Sequence, residues 1–432
     1  MRLVFRPRPA QWLGSLLTAF LLLAVPGAAR AQQPAAPDIG GIYLVGQKYF
    51  VPPKIWKYGN GQFKPAIRKA GVDGVLIDPT WSDVAPGYRK YDWSLLDYMA
   101  RVAIEQGKKF EIAIITGSST PGWVFADPPN GYGAQSATFD YIQSTKPGAT
   151  CAAQVLPLPW DARYLAASGD LLDRLSRHLQ KKGYYPDLTM LRITGINTLT
   201  DELRLPAQTP ETTGNYTSAN KCTVNNLQLW QSFGYRPQLV RQAWRHMLRQ
   251  YRRAFPDKAF NVALITSDGF PASTADGVPV VAPPATMQRL TDAMTTSLVK
   301  EAARELPGRF IVQSNGLIGN QPPDPATIVD ARKAGAMLAW QTNEWNLTSG
   351  GAACAGTRAK PIACTAATFA AMLTRGIFPY GTAVQRPLQA QYLEIFAPNI
   401  LAFPHIVLHA HDLLLASGAM PAPTNLARST IK

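Results

Sequence analysis

Eight short apolar segments, each separated from the next by a helical or loop-forming stretch, constrain this chain more than any other feature. They are Gly41–Gly46, Gly74–Asp78, Lys109–Ile115, Met190–Ile193, Ala259–Ile265, Phe310–Ser314, a run from Met337, and Gln391–Phe396. Apolar runs four to eight residues long suit strands buried on both faces, as in parallel sheets. The segments between them have helical periodicity over Phe63–Ala70, Trp93–Gln106, Tyr164–Lys182, Pro237–Phe255, Met287–Glu305, Ala326–Ala334, Thr365–Arg375 and Ile400–Leu415. Strands alternating with helices predict an α/β fold. A count of eight favours a single closed (β/α)8 TIM barrel over an open sheet. No Gly-x-Gly-x-x-Gly follows the first segment, so a dinucleotide-binding domain lacks its main signal. Thr116–Trp160 reads as a long loop insertion after the third strand.

The domain boundaries follow from composition. Arg2, Arg6 and Arg8 precede an apolar run from Trp12 to Val25, and Ala29-Arg30-Ala31 has the small-x-small pattern of a cleavage site. Residues 1–31 are thus expected to be a signal peptide, 41–417 the barrel and 418–432 a loose tail. No later stretch is long and apolar enough for a stable membrane span. The expected location is secreted or periplasmic.

The formal charge is +15, and four arginines fall in residues 1–31, so 15 − 4 leaves +11 for the exported chain. That balance favours an anionic partner. Arg241, Arg245, Arg249, Arg252 and Arg253 recur at helical spacing, which reads as a solvated helix face, and no nucleic-acid motif accompanies them. Four cysteines, Cys151, Cys222, Cys354 and Cys364, allow three pairings. A local Cys354–Cys364 bridge is expected, leaving Cys151 for Cys222, and no spacing suggests zinc. His405, His409 and His411 lie on the expected last helix without an accompanying acid, so no metal or other cofactor is expected.

Catalysis in such barrels occurs past the C-terminal ends of the strands. Acidic residues at or near those ends are Asp78, Asp201, Glu202, Asp268, Glu344 and Glu394. Glu202 follows the fourth strand and Glu344 the seventh. Two carboxyl groups facing each other across a cleft are what glycosidic bond cleavage requires: one donates a proton and the other attacks the anomeric carbon. Glu202 is the expected acid/base and Glu344 the expected nucleophile. Trp81, Trp123, Trp160, Trp340 and Trp345 offer indole faces for sugar C–H groups, and Gln341 and Asn343 offer amides for hydroxyls. Asp78, Asp201 and Glu394 are further candidates for substrate contact.

Several segments resemble clan A glycoside hydrolases, especially β-galactosidase-like and related bacterial enzymes. They are Gly71-Val-Asp-Gly-Val-Leu-Ile-Asp-Pro-Thr-Trp81, Tyr91–Asp97, Lys108–Ile115 with Thr120-Pro-Gly-Trp123, and Leu158–Tyr164. The resemblance implies acid/base and nucleophile glutamates after strands four and seven. It departs at Asp201, where many members have an asparagine that contacts the sugar 2-hydroxyl; Asn197 is the nearest alternative. The expected activity is retaining hydrolysis of a β-linked glycan, on an oligo- or polysaccharide that the net charge suggests is anionic. The alternative is a non-hydrolytic carbohydrate-binding barrel for an anionic exopolysaccharide.

Overall fold

The strand expected over Gly41–Gly46 forms at those bounds as β1, and the seven other apolar segments form strands within a few residues of expectation. The computed structural model describes residues 39–57, 59–142, 151–209, 224–264, 269–317, 325–342, 353–357, 360–377 and 390–417. In chain order the strands are β1, β2 (Gly74–Ile77), β3 (Lys109–Ile112), β4 (Ser136–Ile142), β5 (Cys151–Pro157) and β6 (Leu188–Arg192). They continue with β7 (Ala259–Leu264), β8 (Phe310–Leu317), β9 (Met337–Thr342), β10 (Ala353–Thr357), β11 (Lys360–Ala363) and β12 (Tyr392–Phe396). Eight of them close in the order β1-β12-β9-β8-β7-β6-β3-β2, every pair parallel. The chain folds as a (β/α)8 barrel.

Local chemistry sets the helix bounds. Asp161 caps the helix Ala162–Lys182 by accepting from the backbone N–H groups of Arg163 and Tyr164, and Gly183 ends it in the left-handed conformation. The last helix, expected as one piece, is two: Ala397–Ala402 and Pro404–Ala416. Pro404 lacks the N–H that a continuous helix needs and restricts Phe403 before it.

Among the described residues, two hairpins lie outside the barrel. β4 and β5 pair antiparallel over seven residues each, within the stretch expected to be irregular. Ala137, Phe139 and Leu156 bury one face of that hairpin. Phe139 packs on Trp230 at 4.3 Å between ring centroids. β10 and β11 form the second hairpin.

The alternation of side chains along each strand divides the barrel. Outward positions meet the helices in one large apolar cluster. Inward, Tyr43, Met190, Ala259, Ile311, Ala339 and Tyr392 form a separate small cluster that plugs the barrel. One step further along the same strands the inward residues become polar: Glu111, Arg192, Asn261, Gln313, Gln341 and Glu394, all buried.

The helix Pro404–Ala416 packs against the opposite, N-terminal end of the barrel. Gly71, at φ +80°, lies under the last helix; a Cβ there would fall 2.8 Å from the Cα of Leu408. Beside it, Asp73 accepts from the N–H of Ile42 at 2.8 Å and pairs with His411 at 3.3 Å. The hydrogen bond to Asp73 raises the His411 pKa above its ordinary value, against partial burial. Among the described residues no group of histidines and acids could hold a metal.

Because the folded-state pKa of His411 is raised, its contribution is fully present below the unfolded pKa and lost as pH rises through the folded one. His411→Gln should therefore lower stability by about 0.5 kcal/mol near about pH 5.5, after allowing for solvent screening, with no difference near about pH 8.5. Urea unfolding at the two pH values checks this.

Candidate active site

Arg192, the last residue of β6, points into the barrel and is almost wholly shielded from solvent at 1% exposure. A buried guanidinium needs partners on every side. One terminal nitrogen donates to Asp201 and the other to Glu394, and Nε donates to Asn261 Oδ1 at 3.1 Å. Glu111 on β3 lies 3.8 Å from the second terminal nitrogen. The burial that would strip the proton from Arg192 is outweighed by Glu394, Asp201 and Glu111, so its pKa stands well above even the usual arginine value.

Glu394 is a hub. Its Oε2 accepts from Gln313 at 2.8 Å and Gln341 at 2.6 Å, while Oε1 accepts from Arg192. Gln313 also donates to Asn315 at 2.8 Å, and Asn315 Nδ2 donates to Glu202 Oε1 at 3.2 Å. A continuous chain of contacts thus runs from Arg192 through Glu394, Gln313 and Asn315 to Glu202. Below it, Tyr392 donates to Gln313 and accepts from Asn261 at 2.6 Å.

Glu202 reaches the mouth by a detour. After β6 the chain loops through Gly195–Thr200 and then runs beside the end of β7. There Leu203 N–H donates to Ala263 O at 2.8 Å, and Glu202 itself bridges Ala263. Its carboxylate is 9% exposed, accepts from Thr200 Oγ1 and lies 3.6 Å from Arg204. Asp201, expected as a substrate contact, is the counter-ion of Arg192, which gives a physical reason for an acid at that position.

The other candidates divide by position. Asn197 uses its side chain to fasten the loop: Oδ1 accepts from Gly195 N–H at 3.0 Å and from Thr116, and Nδ2 donates to Thr200 O at 2.7 Å. Gln341 and Glu394 bind one another below the mouth. Trp340 follows inward-facing Ala339 and precedes inward-facing Gln341, so its indole packs outward in the cluster between strands and helices. Trp81 is fully buried, edge-on to Trp123 at 6.1 Å. Trp123 is half-buried and donates to Ala85 O at 2.8 Å. Trp160 packs on Trp230 and Tyr235, beneath the β4–β5 hairpin. Asn343, Glu344, Trp345 and Asp268 lie outside the described residues.

Asp78, just past the end of β2, differs from its neighbours. The residue keeps some surface, yet its Oδ1 is sealed from solvent and has no hydrogen-bond partner among the described residues. Burial, reinforced by the carboxylates of Asp201 and Glu394 and only partly opposed by Arg192, holds its carboxyl protonated well above the usual range. Glu111 is likewise raised, first by burial and then by the neighbouring carboxylate of Glu394. The described part of the site therefore sets five carboxyl groups, Asp78, Glu111, Asp201, Glu202 and Glu394, against two guanidinium groups, Arg192 and Arg204.

Sequence reasoning missed Arg192, Glu111, Asn261, Gln313, Asn315 and Tyr392. The signal was present: a polar residue inside an otherwise apolar strand, as in Phe110-Glu-Ile112 or Phe260-Asn-Val262, marks an inward position.

No protein-family model matches this chain, and no curated protein matches it. Among solved structures it is similar to the catalytic domain of the β-amylase from Paenibacillus polymyxa, at 12% identity and a TM-score of 0.52, over 89% of this chain and 100% of that one. It is also similar to a morphinone reductase, at 13% identity and a TM-score of 0.45 over 87% of each chain. A xylanase from Thermoanaerobacterium saccharolyticum matches at 10% identity and a TM-score of 0.44, over 83% of this chain and 85% of that one. What the β-amylase domain shares with this chain is the fold.

Removing Arg192 should leave Glu394 and Asp201 as uncompensated buried charges. Arg192→Met is expected to cost about 3–5 kcal/mol, and Arg192→Met with Glu394→Gln to recover part of that loss. Chemical unfolding of both variants measures this; a single variant as stable as the wild type would contradict the assigned role.

Proposed function

We propose that this chain is an exported glycoside hydrolase that cleaves a β-linked glycan with retention of configuration. Glu202 is its acid/base and Glu344 its nucleophile. The observation that carries the reading is the seating of Glu202. Its backbone is tied to β7, its carboxylate is held by Asn315 from β8, and both lie at the end of the barrel where such folds do their chemistry. In the first step Glu344 attacks the anomeric carbon while Glu202 gives a proton to the departing oxygen. In the second, Glu202 takes a proton from the water that releases the sugar. The likeness to a β-amylase catalytic domain adds support at the level of fold and of a saccharide substrate.

Export rests on residues 1–31 and on the cysteines. Cys364 is disulfide-bonded, as suits an oxidising compartment. Its partner in this reading is Cys354, because the β10–β11 register pairs their neighbours Ala353 and Ala363.

A second reading, a non-hydrolytic glycan-binding barrel, draws on one feature: both oxygens of Glu202 already accept hydrogen bonds from protein donors. An anionic ligand has less support at the described mouth, where carboxyl groups outnumber guanidinium groups.

Glu202→Gln and Glu344→Gln should each reduce release of reducing ends from natural β-glycans by at least about a thousandfold. Azide should restore turnover to the Glu202 variant on substrates whose leaving group needs no acid. Undiminished hydrolysis by Glu344→Gln removes that residue as nucleophile. Glycan binding with no product on prolonged incubation favours the second reading.

A further inference from the structure

Glu202 is gripped from both sides, and each grip is directed by a further partner. On one side Asn315 Nδ2 donates to Oε1 at 3.2 Å, while Asn315 Oδ1 accepts from Gln313 at 2.8 Å. The amide is thereby fixed with its nitrogen toward the carboxylate. On the other side Thr200 Oγ1 donates to Oε2 and accepts from Arg204 Nη2 at 2.9 Å. A hydroxyl has one proton to give, and a guanidinium only donates. With Arg204 on its acceptor side, Thr200 has its single proton left for Glu202.

The segment that makes the second grip is itself tied down. Thr200 O accepts from Asn197 Nδ2 at 2.7 Å. The N–H groups of Leu203, Arg204 and Leu205 donate to Ala263 O at 2.8 Å, Ile196 O at 3.1 Å and Gly269 O at 2.8 Å. Arg204 Nη2 lies 3.6 Å from Glu202 Oε2, beyond hydrogen-bond reach, so its hold on the carboxyl group runs through the Thr200 hydroxyl.

Resting on the reading of Glu202 as acid/base, we propose that Thr200 and Arg204 are positioning residues for its proton transfer. Arg204 sets the direction of the Thr200 hydroxyl, and that hydroxyl holds the Glu202 carboxyl group in place. Each carboxyl oxygen has a second lone pair, so both grips persist while the transferable proton is carried on a free one. Thr200 and Arg204 neither gain nor lose a proton. The proton moves only between Glu202 and the departing oxygen, and then between the attacking water and Glu202.

Leaving-group dependence tests this. Dinitrophenolate departs without a proton, whereas phenolate needs one from the acid. The probes are matched phenyl and dinitrophenyl β-glycosides of glucose, galactose, mannose and xylose. Thr200→Val keeps the side-chain shape at an exposed residue. Its loss of kcat/KM should be at least about tenfold larger on the phenyl than on the dinitrophenyl glycoside, and Thr200→Ser should recover most of it. Arg204→Met should show the same selectivity, and the double variant should lose no more than the larger single loss. Equal losses on both glycosides, no loss on either, or no recovery in Thr200→Ser overturns the proposal. So does a double variant whose loss is the product of the single ones, because Arg204 then acts independently of Thr200. If Arg204→Met fails to fold, the Thr200 variants decide the matter alone. Glu202→Gln separates this inference from the reading beneath it. If Glu202→Gln shows the selective loss and Thr200→Val does not, only the inference falls. If Glu202→Gln cleaves phenyl glycosides as fast as the wild type, or the wild type cleaves none of the probes, the reading falls with it.

Discussion

The ion cluster around Arg192 is the constraint on which the site depends. One guanidinium, sealed inside the barrel, fixes Asp201 on one side and Glu394 on the other. Those two hold the segment that carries Glu202 and the amides of Gln313 and Gln341. Burying several charges together is expensive, and replacing such a cluster with hydrocarbon often stabilises a protein. Its value here is positional. A barrel whose upper layer was apolar would close just as well, but nothing would orient a carboxylate at its mouth.

The same cluster explains why the polar layer sits where it does. Below it, Tyr43, Met190, Ile311 and Tyr392 exclude water from the barrel floor. Above it, Asp201, Glu202, Asn315 and Gln341 retain slight exposure, in contrast to the fully buried Glu111 and Glu394. The low-dielectric floor strengthens every interaction in the layer and keeps Asp78 and Glu111 protonated. Carboxyl groups of unlike protonation within one cleft are the usual raw material of acid–base chemistry.

The barrel was legible because its strands are buried on both faces and so read as continuous apolar runs, a signal that depends little on tertiary detail. The β4–β5 hairpin was not. Its alternation in Ser136–Ile142 is short, and the partner that buries Phe139 is Trp230, far away in the chain. The break at Pro404 was visible but was overridden by the apolar pattern on either side. In the site, Glu202 could be found from its place after a strand. Its neighbour Asp201 could not be interpreted, because its partner Arg192 had been counted as part of an apolar strand. Tryptophans carried little information: Trp340 and Trp81 have the residue type expected of sugar platforms but sit in the packing layer. Only the parity of a strand separates the two roles, and parity is easily misjudged from one sequence.

Mass spectrometry of the protein after reaction with an activated, slowly hydrolysed fluorinated glycoside tests the roles of Glu202 and Glu344 most directly. A retaining enzyme with the proposed roles must accumulate one glycosyl adduct, carried by the peptide that contains Glu344 and absent from Glu344→Gln. Turnover of the same glycoside with no adduct, or an adduct on any other carboxylate, would contradict those roles.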